Sequence, residues 1–158
     1  MDSPLPRIDT TLVDQGPFQA HGRLEVWLEA DLLCYRATGP FNVEMVEVLG
    51  RALQRLDPLP PARYASLVWW QHSMLASPDT LAAYEALLKR RQHRPDLSPP
   101  VASLWLAGPE VEGVRLMRPH WAAVYAAAGW PLEFCDTDAQ MRTRARELLT
   151  AAARGPET

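Results

Sequence analysis

The densest run of reactive side chains is Gln71-His72-Ser73-Met74-Leu75-Ala76-Ser77-Pro78-Asp79. A histidine beside a carboxylate such as Asp79 is the raw material of general acid–base chemistry. His120 is the second candidate for that role. Ser73 and Ser77 offer hydroxyls that a kinase could phosphorylate. At Ser77 a phosphate would meet the free N–H groups of a helix start. Ser77-Pro78-Asp79 is also a plain helix-start signal: serine as cap, proline in the first turn, an acid at the positive end of the dipole. Asp79 would repel an added phosphate.

The rest of the chemistry is sparse. His21, His72, His93 and His120 show neither i,i+4 nor His-x-His spacing, so no metal site is expected. No Gly-x-Ser-x-Gly elbow marks a serine nucleophile. The glycines are isolated, which leaves no phosphate-cradling loop. The expectation is a protein that is not an enzyme and needs no cofactor.

Tryptophan stands out instead, with six in 158 residues. Trp69 and Trp70 are adjacent in a β-prone run, so their rings leave on opposite faces. Trp27 sits on the polar side of an alternating strand, and Trp105 on a later one. If Trp27, one of the Trp69/Trp70 pair and Trp105 share a face, they form an apolar patch for a homodimer or a groove for an apolar ligand. If helices cover both faces, the rings are core.

Composition sets outer bounds. One domain is expected at this length. The net charge of −3 and the scattered arginines argue against nucleic acid. Cys34 and Cys135 are too few for a disulfide framework and read as reduced packing residues. Residues 1–15 lack the apolar segment of a secretion signal, and no run is long enough to span a membrane. A cytoplasmic location follows as the default expectation.

The elements that must position these residues follow from period and punctuation. Residues 1–17 read as an arm, 18–153 as one α/β domain, and 154–158 as a fraying tail. Leu24, Val26 and Leu28 alternate with Glu25, Trp27 and Glu29, and a tight turn near Ala30-Asp31 leads to Leu32–Thr38. Strands this close pair as an antiparallel hairpin. Asn42 caps a first helix with Phe41 and Val46 at staple spacing, and its inner face runs Val46, Leu49, Leu53, Leu56. Tyr64–Trp70 is a strand apolar on both faces. A helix from Pro78 faces inward at Leu81, Tyr84 and Leu88. Val101–Leu106 is the next strand. A short turn and then a helix from Pro119 run to Gly129. Leu132–Cys135 is the last strand, and Thr137 opens the last helix. The pattern predicts one mixed sheet: an antiparallel hairpin, then three helix-then-strand units, then a helix.

That order, with Gly39-Pro40-Phe41-Asn42 at the junction between second strand and first helix, resembles the STAS domain (sulfate transporter and anti-sigma-factor antagonist) and its SpoIIAA-like members. The resemblance covers about residues 18–153. It implies a bacterial, non-enzymatic regulatory domain that binds a protein or a small ligand. Antagonists of this family carry an Asp-Ser-Ser-Gly-like motif after the third strand, where a partner kinase acts. Here that junction reads Gln71-His72-Ser73-Met74, without the motif. Two readings follow: a STAS-like binding module, or a carrier of a hydrophobic small molecule in a Trp-lined groove.

Overall fold

The structure is a computed structural model that describes residues 6–155. The strands are β1 (Arg7–Asp9), β2 (Arg23–Glu29), β3 (Leu32–Thr38), β4 (Ala65–Gln71), β5 (Ser103–Ala107) and β6 (Leu132–Cys135). The helices are α1 (Val43–Gln54), α2 (Pro78–Arg91), α3 (Val114–Ala128) and α4 (Asp138–Arg154). The protein is an α/β fold with one mixed six-stranded sheet, whose strands lie side by side in chain order.

β2 and β3 form the expected antiparallel hairpin, with Val26 opposite Tyr35 and Trp27 opposite Cys34. The two-residue turn holds Ala30 at φ 51°, the positive value that two-residue hairpin turns require. From β3 onward each strand is parallel to its predecessor. Each right-handed return therefore steps one strand in the same direction. That places α1, α2 and α3 together on one face, over a core that includes Leu33, Val68 and Trp105. α4 has no strand to return to and covers the other face, with Met141, Ala145 and Leu149 packed on Cys34, Leu67 and Leu104.

Two expectations change. Residues 7–9 of the supposed arm are an edge strand antiparallel to β2. The run is too short to show a period. Arg23 pairs with Asp9 across that edge, and Thr10 Oγ1 accepts from the backbone of Leu24 at 2.8 Å. The helix expected from Pro119 starts five residues earlier, at Val114. A proline inside a helix removes one N–H and crowds the preceding turn. Here burial of Met117 and Trp121 on one face outweighs that cost, and Met117 N–H still bonds Gly113 at 2.8 Å.

The caps follow the sequence. Asn42, Ser77 and Thr137 each accept a backbone N–H from the first turn of their helix. Glu85 and Lys89 pair at 2.9 Å on the wet side of α2. Among the described residues no helix is long and apolar enough to cross a membrane. The tail from 156 to 158 and residues 1–5 of the arm lie outside the described residues.

Candidate functional site

Strand alternation divides the tryptophans. Trp70 and Trp105 point towards α1–α3, where Trp121 of α3 and Trp130 join them; Trp27 and Trp69 belong to the α4 face. The expected face shared by Trp27, Trp105 and one of the pair is therefore not formed. Trp27 pairs with Trp69, and Trp105 packs 5.0 Å from Trp70. Nor do these rings make an open patch: Trp27 and Trp70 are 6% exposed and Trp105 is 1% exposed. Helices on both faces leave these three no surface to offer a second copy.

What the inner aromatics enclose is a chamber of about 50 Å³ beneath α2. Trp70, Trp105, Trp121, Trp130, Tyr84 and Tyr125 wall it. Its floor is polar: Ser66 and Ser103 are partners in the β4–β5 register and both are buried. Arg91, from the last turn of α2, completes the wall.

Arg91 is the unusual group. It is 7% exposed. One terminal nitrogen donates to Tyr64 Oη at 3.1 Å, and Tyr64 in turn donates to the Ser98 carbonyl at 2.6 Å. The guanidinium lies 4.9 Å from the Trp130 ring centre, within cation–π range. Its Nε is buried without a partner, as are the indole N–H groups of Trp70, Trp105 and Trp130. No carboxylate pairs with Arg91 among the described residues. Burial pushes the phenols of Tyr35, Tyr84 and Tyr125 up from their ordinary value. They remain neutral and supply no charge to balance the guanidinium. A lone buried charge is costly unless something pairs with it.

Arg91 also forms the inner wall of an outer groove of about 430 Å³ between α1 and α2. Arg51, Arg90 and Arg94 line that groove, with Glu47 as the acid among them. Arg94 is tied to Asp96 at 2.6 Å, whereas Arg51 Nη2 is buried without a partner.

The other sequence candidates sit elsewhere, His72, Ser73 and Ser77 in the loop after β4 and His120 on α3. Ser73 is 2% exposed. Its hydroxyl donates to Glu112 at 3.0 Å and accepts from Leu75 N–H at 3.1 Å. A kinase could not reach it without opening the loop, so the geometry speaks against Ser73 as phosphoacceptor. The loop is close-packed: a Cβ on Gly39 would overlap the Ser73 carbonyl oxygen. Ser77 is exposed, and its oxygen both accepts from Thr80 N–H and bonds the Thr80 hydroxyl at 2.9 Å. His72, at φ 73°, and His120 are both exposed. The structure shows no hydrogen bond between either histidine and a carboxylate among the described residues. No cluster there gathers three or more metal-ligating side chains.

Sequence reading missed Arg91, Trp121 and Trp130 as site residues. The signal for Arg91 was present. Leu81, Tyr84 and Leu88 mark the inward stripe of α2, and the next position on that 3–4 spacing is Arg91. Comparison of the chain with family models, curated proteins and solved structures finds no match.

Proposed function

We propose that the chain is a non-enzymatic binding domain of the STAS-like kind, and that the chamber beneath α2 is where it holds a small ligand. The observation that carries this is a buried arginine without a carboxylate, on the wall of a cavity with a serine floor. An interior built only to be stable would fill that space with carbon. The STAS-like part of the reading is supported by element order and by the Gly39–Asn42 junction. Ser77 is the exposed hydroxyl at which a partner of that family would act.

Size argues against the competing reading, a carrier of hydrophobic molecules. Pockets for drug-sized ligands run about 300–1,000 Å³, whereas this chamber is about 50 Å³.

The test uses the division of the tryptophans. Replacing Trp27 and Trp69 by Phe leaves four indoles, all on the chamber. Their fluorescence is titrated with small polar molecules and, separately, with fatty acids and flavins. A saturable response to the small polar set alone is expected. A response to the large apolar set alone would favour the carrier, and silence towards both would remove the chamber as a binding site.

A further inference from the structure

We infer that the chamber is a site for a small monovalent oxyanion, a short carboxylate or an inorganic ion of similar shape, held by Arg91. This rests on the chamber being the binding site and adds the chemical class of what enters it.

Three observations converge. The first is charge. The chamber lining contains Arg91 and no aspartate or glutamate, and the neighbouring phenols stay protonated. One negative charge is what a single buried guanidinium lacks; a dianion would leave its second charge unpaired. The second is donor surplus. Arg91 Nε and the indole N–H groups of Trp70, Trp105 and Trp130 are donors without acceptors. Indole and guanidinium nitrogens can only donate, so the missing partner is an acceptor. The third is size. A cavity measured this way needs about 10–15 Å³ per water, so about 50 Å³ holds roughly four atom-sized positions. Acetate and nitrate are of that size, and sugars and nucleotides are not.

The outer groove supplies the approach. Arg51, Arg90 and Arg94 flank it, Glu47 opposes them in part, and Arg91 stands between groove and chamber. A cleft with excess positive charge raises the local concentration of anions.

The experiment is a proton–nitrogen correlation spectrum of the indole N–H groups in the Trp27→Phe, Trp69→Phe protein. Sodium acetate, sodium nitrate and neutral acetamide are added in turn. Ionic strength is held with sodium gluconate, an anion too large for the chamber. Acetate or nitrate should move the Trp70, Trp105 and Trp130 resonances saturably, and acetamide should not. Whichever anion moves them names the source, organic or inorganic. Arg91→Met should weaken binding of that anion at least about tenfold. Arg91→Lys, which keeps the charge and loses the fork, should weaken it less. Equal shifts with acetamide, or unchanged affinity in Arg91→Met, would overturn the anion assignment while leaving the chamber as a binding site. Unmoved resonances with all three molecules would overturn both. If neither Arg91 variant folds, the acetate–acetamide comparison on the Trp-replaced protein decides alone.

Discussion

The Trp27 and Trp69 rings stack across β3, 5.8 Å apart and 13° from parallel. Each indole N–H is spent on a carboxylate, Trp27 on Glu29 at 3.0 Å and Trp69 on Asp138 at 2.9 Å. Arg7 lies over one ring at 4.3 Å and Arg142 over the other at 5.4 Å. The pair thus joins the edge strand, the sheet and the first turn of α4.

Trp69→Ala should therefore loosen α4 more than its partial burial suggests. The loss combines a stacked aromatic pair, a charge-assisted hydrogen bond and a cation–π contact. A cost of about 2–4 kcal/mol is expected. Urea denaturation gives the magnitude. Loss of the exciton couplet in far-ultraviolet circular dichroism, from both Trp69→Ala and Trp27→Ala, checks the pairing itself. A couplet that survives either substitution would place its origin in the chamber.

Much of the fold could be read in advance, because hairpin alternation, capping residues and helix stripes are local. The β2–β3 hairpin, α1, α2 and α4 fall where Leu24–Leu28, Asn42, Ser77 and Thr137 predict. What the sequence withheld is relational. Whether Trp105 joins Trp69 or Trp70 depends on register between strands, and β1 depends on a partner 16 or more residues away. The chamber was hidden because arginine on a helix reads as solvated, and only the stripe through Leu81, Tyr84 and Leu88 carries Arg91 inward.

The two thiols should differ in reactivity. Cys34 is fully buried, and burial pushes its thiol up to about 12, with Glu29 adding to the effect. Cys135 is only half-buried, and burial raises it less. Ellman's reagent should titrate one thiol in the native protein at mildly alkaline pH and two in denaturant. The sign of the pH effect follows. The raised Cys34 value favours the folded state fully below the unfolded value of 9.0, and that stability is lost as pH rises towards about 12. Cys34→Ala should flatten that part of the stability profile.

Acid should act on the opposite face of the ledger, through α4. Arg146 donates to Asp31 and holds its carboxyl below the ordinary range; the Trp27 indole, then Arg142, do so for Glu29. Depressed carboxylates contribute stability above their unfolded values of 3.8 and 4.5, and the contribution disappears as pH falls through the folded values. Both pairs are partly exposed, so each is worth only about 0.2–1 kcal/mol. Trp69 fluorescence should report α4 loosening below about pH 4, earlier at high salt. In Arg142→Gln and Arg146→Gln variants the acid limb should shift towards higher pH.

Aspartate in place of either serine of the β4–α2 loop separates two roles that look alike in sequence. Ser77 is exposed and caps α2, and aspartate is as good a cap. Ser77→Asp should leave stability within about 0.5 kcal/mol, while Ser77→Ala, which abandons the Thr80 N–H, should cost about 1 kcal/mol. Ser73 is different. Its hydroxyl is buried and donates to Glu112 at 3.0 Å, so Ser73→Asp would set two carboxylates against each other inside a packed loop. A loss of about 2–4 kcal/mol is expected, against about 1–2 kcal/mol for Ser73→Ala. Chemical denaturation of the four variants measures the pattern. If Ser73→Asp were tolerated as well as Ser77→Asp, the loop would be open enough to admit a phosphate, and Ser73 would return as a phosphoacceptor. If only Ser77→Asp is tolerated, regulation by phosphate in this loop falls to Ser77 alone, where the added charge would meet the N-terminus of the helix that carries Arg91 at its other end.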